Sequence, residues 1–209
     1  MMTNTTSANQ RSPRLAFAIA CLLPAILLGC ATENPPIVTK TDSRIQALVG
    51  GEAAARLIAD LSQARTCNAY RIDGYAAGEG PLPPPGTVDE PQSQTVTSDK
   101  PQDIYGYPVV SSAVPIDDVS RANLSKVLSD PGTYLWDVAK ACEFLPGVAL
   151  RFAGSNVRVD ILICFSCDEL EIYRNGERVG HEDFDPRRSD LLGVVKKLFP
   201  EDEAIQALN

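Results

Sequence analysis

Four cysteines beyond residue 30 have the type and spacing to do chemistry: Cys67, Cys142, Cys164 and Cys167. Two residues separate Cys164 from Cys167, a spacing typical of redox-active dithiols and of the knuckles of thiolate metal sites. A redox dithiol normally begins a helix, whose N-terminus lowers the thiol pKa, whereas strand-like sequence lies on both sides here. A four-thiolate metal site normally has two such pairs, and this chain has one. Redox exchange and metal binding therefore stay open as alternatives to structural disulfides.

The pairing of these four cysteines is only partly constrained by their spacing, because four cysteines allow three pairings. A bridge from Cys164 to Cys167 would close a very small ring and constrain the unfolded chain least. Narrow disulfide geometry also makes that bridge awkward at the end of a strand. We therefore expect Cys142 to bond to Cys164 or to Cys167. Cys67 then pairs with the remaining cysteine or stays a buried thiol.

Other catalytic patterns are missing from the sequence. His181 is the only histidine and is followed by Glu182 and Asp183, so any hydrolase mechanism would have to use it. The chain has no GxSxG, HExxH, Walker or GxGxxG motif, and Asp168 follows Cys167 where a haem-attachment motif requires histidine. We predict no catalytic residue, no cofactor and no bound metal, and a surface role for His181.

The first 29 residues have the organisation of a secretory signal. Arg11 and Arg14 precede an uncharged apolar run of 14 residues, Leu15 to Leu28. About 20 helical residues are needed to cross a bilayer, so this run is too short to span one. A basic head, a short apolar stretch and a small residue at the cleavage site are typical of an exported precursor.

The run ends in Leu27-Leu28-Gly29-Cys30, which resembles the lipobox of bacterial lipoproteins. The resemblance implies a thioether-linked lipid on Cys30, cleavage between Gly29 and Cys30, and acylation of the new N-terminus. An ordinary signal peptide is the alternative. In lipoproteins of double-membrane bacteria, an Asp after the lipidated cysteine favours the inner membrane. Ala31 stands there in this chain, so we expect the periplasmic face of the outer membrane.

Export also bears on the remaining cysteines, because an even set of cysteines usually pairs in an oxidising compartment. That context favours structural bridges. The stretch from about Cys142 to Pro200 further resembles exported bacterial proteins of uncharacterised function, a resemblance that implies no activity.

The charge balance restricts the partners. Of the 19 Lys and Arg residues, two leave with the signal, so the 180-residue mature chain carries 27 acidic residues against 17 basic ones. An acidic surface repels phosphate backbones and anionic headgroups, so we expect no nucleic acid partner. The expected partners are the membrane, through the lipid on Cys30, and another envelope protein. The leading function is therefore a non-enzymatic binding or scaffolding domain, and a thiol–disulfide or metal-handling protein using Cys164 and Cys167 is the alternative.

Three regions follow the signal. Residues 30–42 form a tether, and residues 43–209 have the length of one domain. Within that domain, residues 74–103 contain six Pro and four Gly, which predicts an exposed loop or insertion.

Hydrophobic patterns in the domain predict an α+β fold. Alternating apolar residues predict strands over 66–73 and 104–110, and a C-terminal meander over 147–183. Helical spacing predicts helices near 119–129 and after Asp185. We therefore expect an antiparallel sheet of about five strands with helices packed on one face.

Overall fold

The computed structural model of this protein describes residues 41–76 and 102–209. The signal, the cleavage site, Cys30 and most of the predicted 74–103 loop lie outside the described residues. The helices are α1 (Ser43–Leu48), α2 (Glu52–Ala59), α3 (Asp118–Leu128), α4 (Arg188–Leu198) and α5 (Glu203–Gln206). The strands are β1 (Thr66–Arg71), β2 (Asp103–Ile104), β3 (Tyr107–Pro108), β4 (Val114–Pro115), β5 (Val148–Ala153), β6 (Arg158–Cys164), β7 (Glu169–Arg174) and β8 (Glu177–Asp183).

Six of the strands form one antiparallel sheet in the order β4-β1-β5-β6-β7-β8. On β5, every second residue points to the helices, so Val148, Leu150 and Phe152 are fully buried in the main core. The helices contribute to that same core from one side of the sheet. The predicted α+β class, the C-terminal meander and the one-sided helical layer are confirmed. The sheet has six strands because the two-residue β4 pairs with β1.

The segment 104–110 was predicted as an edge strand of the large sheet, but it meets that sheet only at residues 108–110, where the N–H of Val110 donates to the carbonyl oxygen of Arg71 at 2.9 Å. Its residues form a separate two-stranded sheet, β2 with β3, which packs on the second face of the large sheet. Tyr105 (φ 55°) and Gly106 (φ 85°) reverse the chain between these two strands. Val109 makes an isolated bridge to Ile72. These two short strands cover the second face of the large sheet and do not extend it.

Both edges of the large sheet are protected against pairing with another chain, which is how soluble sheets avoid aggregation. On the β8 edge, the end of α1 lies so close to Gly180 that a Cβ there would overlap with the carbonyl oxygen of Leu48. Leu135 also bridges to Asp183 on that edge. On the opposite edge, β4 is short and contains Pro115, which has no N–H to donate.

Between β7 and β8, the predicted Asn175-Gly176 hairpin turn is confirmed. Both residues have positive φ (53° and 97°), and the flanking residues Arg174 and Glu177 pair with each other. This conformation matches the twist of the two strands. In the described parts of the chain, no helix has the length and apolar character needed to span a bilayer.

Candidate functional site

Three of the four cysteines discussed above lie close together where β6 turns into β7. We call these residues, Cys142, Cys164 and Cys167, the cysteine cluster. Cys164 is the last residue of β6, Cys167 lies in the turn, and Cys142 lies on the irregular segment 138–147. A disulfide joins Cys142 to Cys167, which are 25 positions apart in sequence and have 6.0 Å between their Cα atoms. Of the two pairings left open for Cys142, the structure has this one. Cys164 keeps a buried free thiol.

Cys67 lies apart from the cysteine cluster as a second buried free thiol. Its side chain belongs to the main core on the helical side of the sheet, and burial raises the pKa of the thiol. Ile163 also faces that side, so its neighbour Cys164 faces the other one. A bridge between Cys67 and Cys164 would have to cross the sheet. Of the two outcomes predicted for Cys67, the buried thiol is the one found.

Polar groups surround the free thiol of Cys164. The Ser166 hydroxyl lies 3.1 Å from the Cys164 sulfur and 3.9 Å from the Cys167 sulfur, so one side chain contacts both. The backbone N–H of Leu145 donates to the Cys164 sulfur at 3.4 Å. Ser166 therefore links the free thiol of Cys164 to the sulfur of the Cys142–Cys167 disulfide. Neither Ser166 nor Leu145 was singled out from the sequence, because the Leu145 contact depends on how the 138–147 segment folds back.

The turn that carries Cys167 is held from the helical side of the sheet. Asp168 adopts a positive φ of 58° and forms an ion pair with the guanidinium of Arg188. Arg188 also donates to the carbonyl oxygen of Phe165 at 2.7 Å, and the N–H of Phe184 donates to the carbonyl oxygen of Asp168 at 2.7 Å. Helix α4 therefore fixes the conformation of the cysteine turn.

Lys140 fastens the 138–147 segment to the same region. Its ammonium group donates to the carbonyl oxygen of Cys167 and to the carboxylate of Asp185, both at 2.6 Å, and lies 3.5 Å from buried Asp183. Burial by itself lowers the pKa of Lys140, but the hydrogen bonds and charges of Asp185 and Asp183 outweigh it and raise the pKa above its ordinary value. The lysine therefore stays charged, and it holds the segment independently of the disulfide.

His181 is not arranged as a catalytic base toward a nucleophile. Its Nε2 atom lies 3.6 Å from the buried carboxylate of Glu169, and the ring packs edge-on against Phe144 at 6.0 Å. The Cys164 sulfur has its hydrogen bonds with Ser166 and Leu145 instead. Within the described residues, no group of three or more His, Cys, Asp or Glu side chains could hold a metal ion.

A cleft of about 390 Å³ lies beside the β8 edge, and we call it the acidic cleft. Trp136, Asp137, His181, Glu182 and Arg44 are among its lining residues. The Arg44 guanidinium lies over the Trp136 ring at 4.9 Å. Burial, followed by the charges of Asp137 and Asp183, raises the pKa of Glu182. Asp137 and Glu182 thus bring negative charge to the cleft without an ion-pair partner among the described residues.

Comparisons with known proteins found no relative of this chain. No protein-family model matches the chain, and no curated protein and no solved structure matches it.

Proposed function

We propose that this protein is a lipid-anchored component of the bacterial cell envelope, held at the periplasmic face of the outer membrane, whose folded domain binds another envelope protein without catalysing a reaction. The observation that carries the anchor is the Leu27-Leu28-Gly29-Cys30 lipobox at the end of a short apolar run. The Cys142–Cys167 disulfide supports export, because such bridges persist in oxidising compartments. Several acyl chains anchor a protein durably, whereas one chain alone binds weakly.

The anchor is tested with Cys30→Ser in the full chain. We expect this variant to lose incorporation of labelled fatty acid completely and to accumulate as uncleaved precursor, because both steps act on the cysteine thiol. Cys21→Ser, which changes the other cysteine of the signal, is the control and should be lipidated normally. Lipid labelling of Cys30→Ser, or a mature soluble protein cut elsewhere, would refute the anchor.

The acidic cleft is the proposed binding surface, and its chemistry suits a lysine- or arginine-bearing segment of the partner. Asp137 is exposed and Glu182 half-buried, so both carboxylates can reach a bound cation. Trp136, whose ring already carries the Arg44 guanidinium, lines the cleft beside these carboxylates. The raised pKa of Glu182 reflects the burial and the crowded negative charge that an incoming cation would offset. The buried carboxylates of Asp160 and Asp183, by contrast, already have cationic partners within the domain.

Removing the two cleft carboxylates tests this surface. A photocrosslinking amino acid at the exposed position Val138 should capture a partner through a peptide that contains Lys or Arg. Asp137→Asn combined with Glu182→Gln should lower that yield about tenfold, since each half-exposed ion pair contributes up to about 1 kcal/mol. Glu201→Gln combined with Glu203→Gln removes the same charge elsewhere and should leave the yield unchanged. An equal loss in both double variants, or a captured segment without basic residues, would contradict the proposal.

A thiol–disulfide function is the second candidate, and the Cys164 thiol beside the Cys142–Cys167 disulfide favours it. The acidic cleft and the cysteine cluster use different residues, so each candidate can be tested without disturbing the other.

A further inference from the structure

We propose that the cysteine cluster is an exchange site in which the disulfide moves from Cys142–Cys167 to Cys164–Cys167 and releases Cys142 as a surface thiol. This inference deepens the second candidate function and is independent of the anchor and the acidic cleft. It adds Cys142 to the Cys164 and Cys167 pair as the exposed member, the one able to meet a thiol or disulfide of another protein.

Proximity makes the exchange possible. The Ser166 hydroxyl contacts both the Cys164 and the Cys167 sulfur, at 3.1 Å and 3.9 Å, so both sulfurs lie against this one side chain. Residues at the two ends of a four-residue turn have Cα atoms within about 7 Å, and disulfides span Cα distances of about 4.4–6.8 Å. Cys164 and Cys167 end such a four-residue stretch at the close of β6.

The step conserves both atoms and oxidation state. Cys164 passes its thiol proton to the exposed Ser166 hydroxyl, 3.1 Å from its sulfur, which returns a proton to solvent, and the resulting thiolate attacks the Cys167 sulfur. A bond forms between Cys164 and Cys167 while the bond between Cys167 and Cys142 breaks. Cys142 leaves as a thiolate and takes up a proton from solvent. One disulfide and one thiol are present before and after, so no external oxidant or reductant is needed.

The exchange changes which of the three cysteines is accessible as a thiol. Cys164 and Cys167 are buried, whereas Cys142 lies on the exposed 138–147 segment, so only the product presents an accessible thiol. Lys140 keeps this segment docked through the carbonyl oxygen of Cys167 and the carboxylate of Asp185. The released Cys142 therefore stays close enough for the reverse reaction. The site alternates between a state whose free thiol, that of Cys164, is buried and a state whose free thiol, that of Cys142, is at the surface and reactive.

Trapping with N-ethylmaleimide tests the exchange on the purified full chain under native conditions, followed by acid quenching and non-reducing peptide mapping. We expect the label on Cys142 together with a Cys164–Cys167 disulfide. Cys164→Ser should slow labelling of Cys142 at least tenfold, whereas Cys67→Ser, which removes the other buried thiol, should label like the unchanged protein. Label on Cys164 with an intact Cys142–Cys167 disulfide, or no label on Cys142, would overturn the proposal.

A second variant covers the case in which Cys164→Ser does not fold. Cys142→Ser leaves the cluster with two cysteines, and we expect them to be joined as Cys164–Cys167 after air oxidation. Two free thiols in that folded variant would overturn the exchange. Reaction of the Cys142–Cys167 disulfide with glutathione in the unchanged protein tests the second candidate function separately, because it requires no internal nucleophile.

Discussion

Asp160→Asn should lower the free energy of unfolding by about 3–5 kcal/mol, the usual cost of removing one partner from a buried ion pair. Asp160 is 1% exposed and lies on the second face of the sheet. Arg151 donates to its two carboxylate oxygens at 2.8 and 3.2 Å, and the Tyr105 hydroxyl donates to one of them at 2.5 Å. Arg158 lies at 3.2 Å as an ion-pair partner whose Nε atom makes no hydrogen bond. Asparagine would leave both guanidinium groups without a negative charge.

Tyr105 gives this first prediction a spectroscopic readout. Burial, then the hydrogen bond to Asp160 and its negative charge, raises the pKa of Tyr105 to about 12. The ring also stacks on Tyr173 with 3.7 Å between centroids, which holds Tyr105 in its positive-φ turn. Asp160→Asn removes the negative charge that opposes phenolate formation, so the pKa of Tyr105 should fall in a folded variant.

Urea unfolding measures the stability loss, and an exposed ion pair supplies the matched control. Glu52 and Arg56 form a salt bridge one helical turn apart with side chains 62% and 59% exposed. Glu52→Gln should change the free energy of unfolding by less than about 0.5 kcal/mol, because exposed pairs of this kind contribute little. A loss below about 1 kcal/mol for Asp160→Asn would mean that the buried network is not a major source of stability.

Phe184→Ala should cost a similar amount, about 3–5 kcal/mol, because it removes a fully buried aromatic side chain and leaves a cavity. Phe184 is 0% exposed and packs edge-to-face against Phe165 with 5.6 Å between ring centroids. Phe165 lies in the turn that carries the cysteine cluster. We therefore expect a second effect, faster native-state labelling of Cys142, because a looser turn lets the Cys164 and Cys167 sulfurs meet more often.

Thermal and urea unfolding measure this second prediction, with Tyr75→Ala as the control. Tyr75 is 80% exposed, so the loss of its ring should change stability by less than about 0.5 kcal/mol. If Phe184→Ala unfolded at the same urea concentration as the unchanged protein, the core between β8 and α4 would have to repack around the cavity. Unchanged labelling of Cys142 in a destabilised variant would show that Arg188 and Asp168 hold the turn without the aromatic pair.

The fold class could be predicted because its signals are local. One face of the meander is buried against helices, so the large apolar residues Val148, Leu150 and Phe152 alternate along β5 with two alanines and an arginine. The turn at Asn175-Gly176 needs two positive-φ residues and therefore shows in the sequence. The 104–110 segment has a similar strand-like composition, but the strand with which it pairs depends on how distant parts of the chain fold. The prediction that it forms a strand of the large sheet failed for this reason.

The candidate sites, like the fold, could be predicted only in part from the sequence. The sequence alone determined the α+β class and the meander, and it predicts a signal, a lipidated Cys30 and no catalytic motif, because each depends on residues that are neighbours in the chain. Only the tertiary structure decided that Cys142 bonds to Cys167, while Cys67 lies across the sheet from Cys164. It also brought Asp137 and Glu182 together beside Trp136. Those outcomes depend on which face a strand presents and where a distant segment returns, and residue spacing does not encode either.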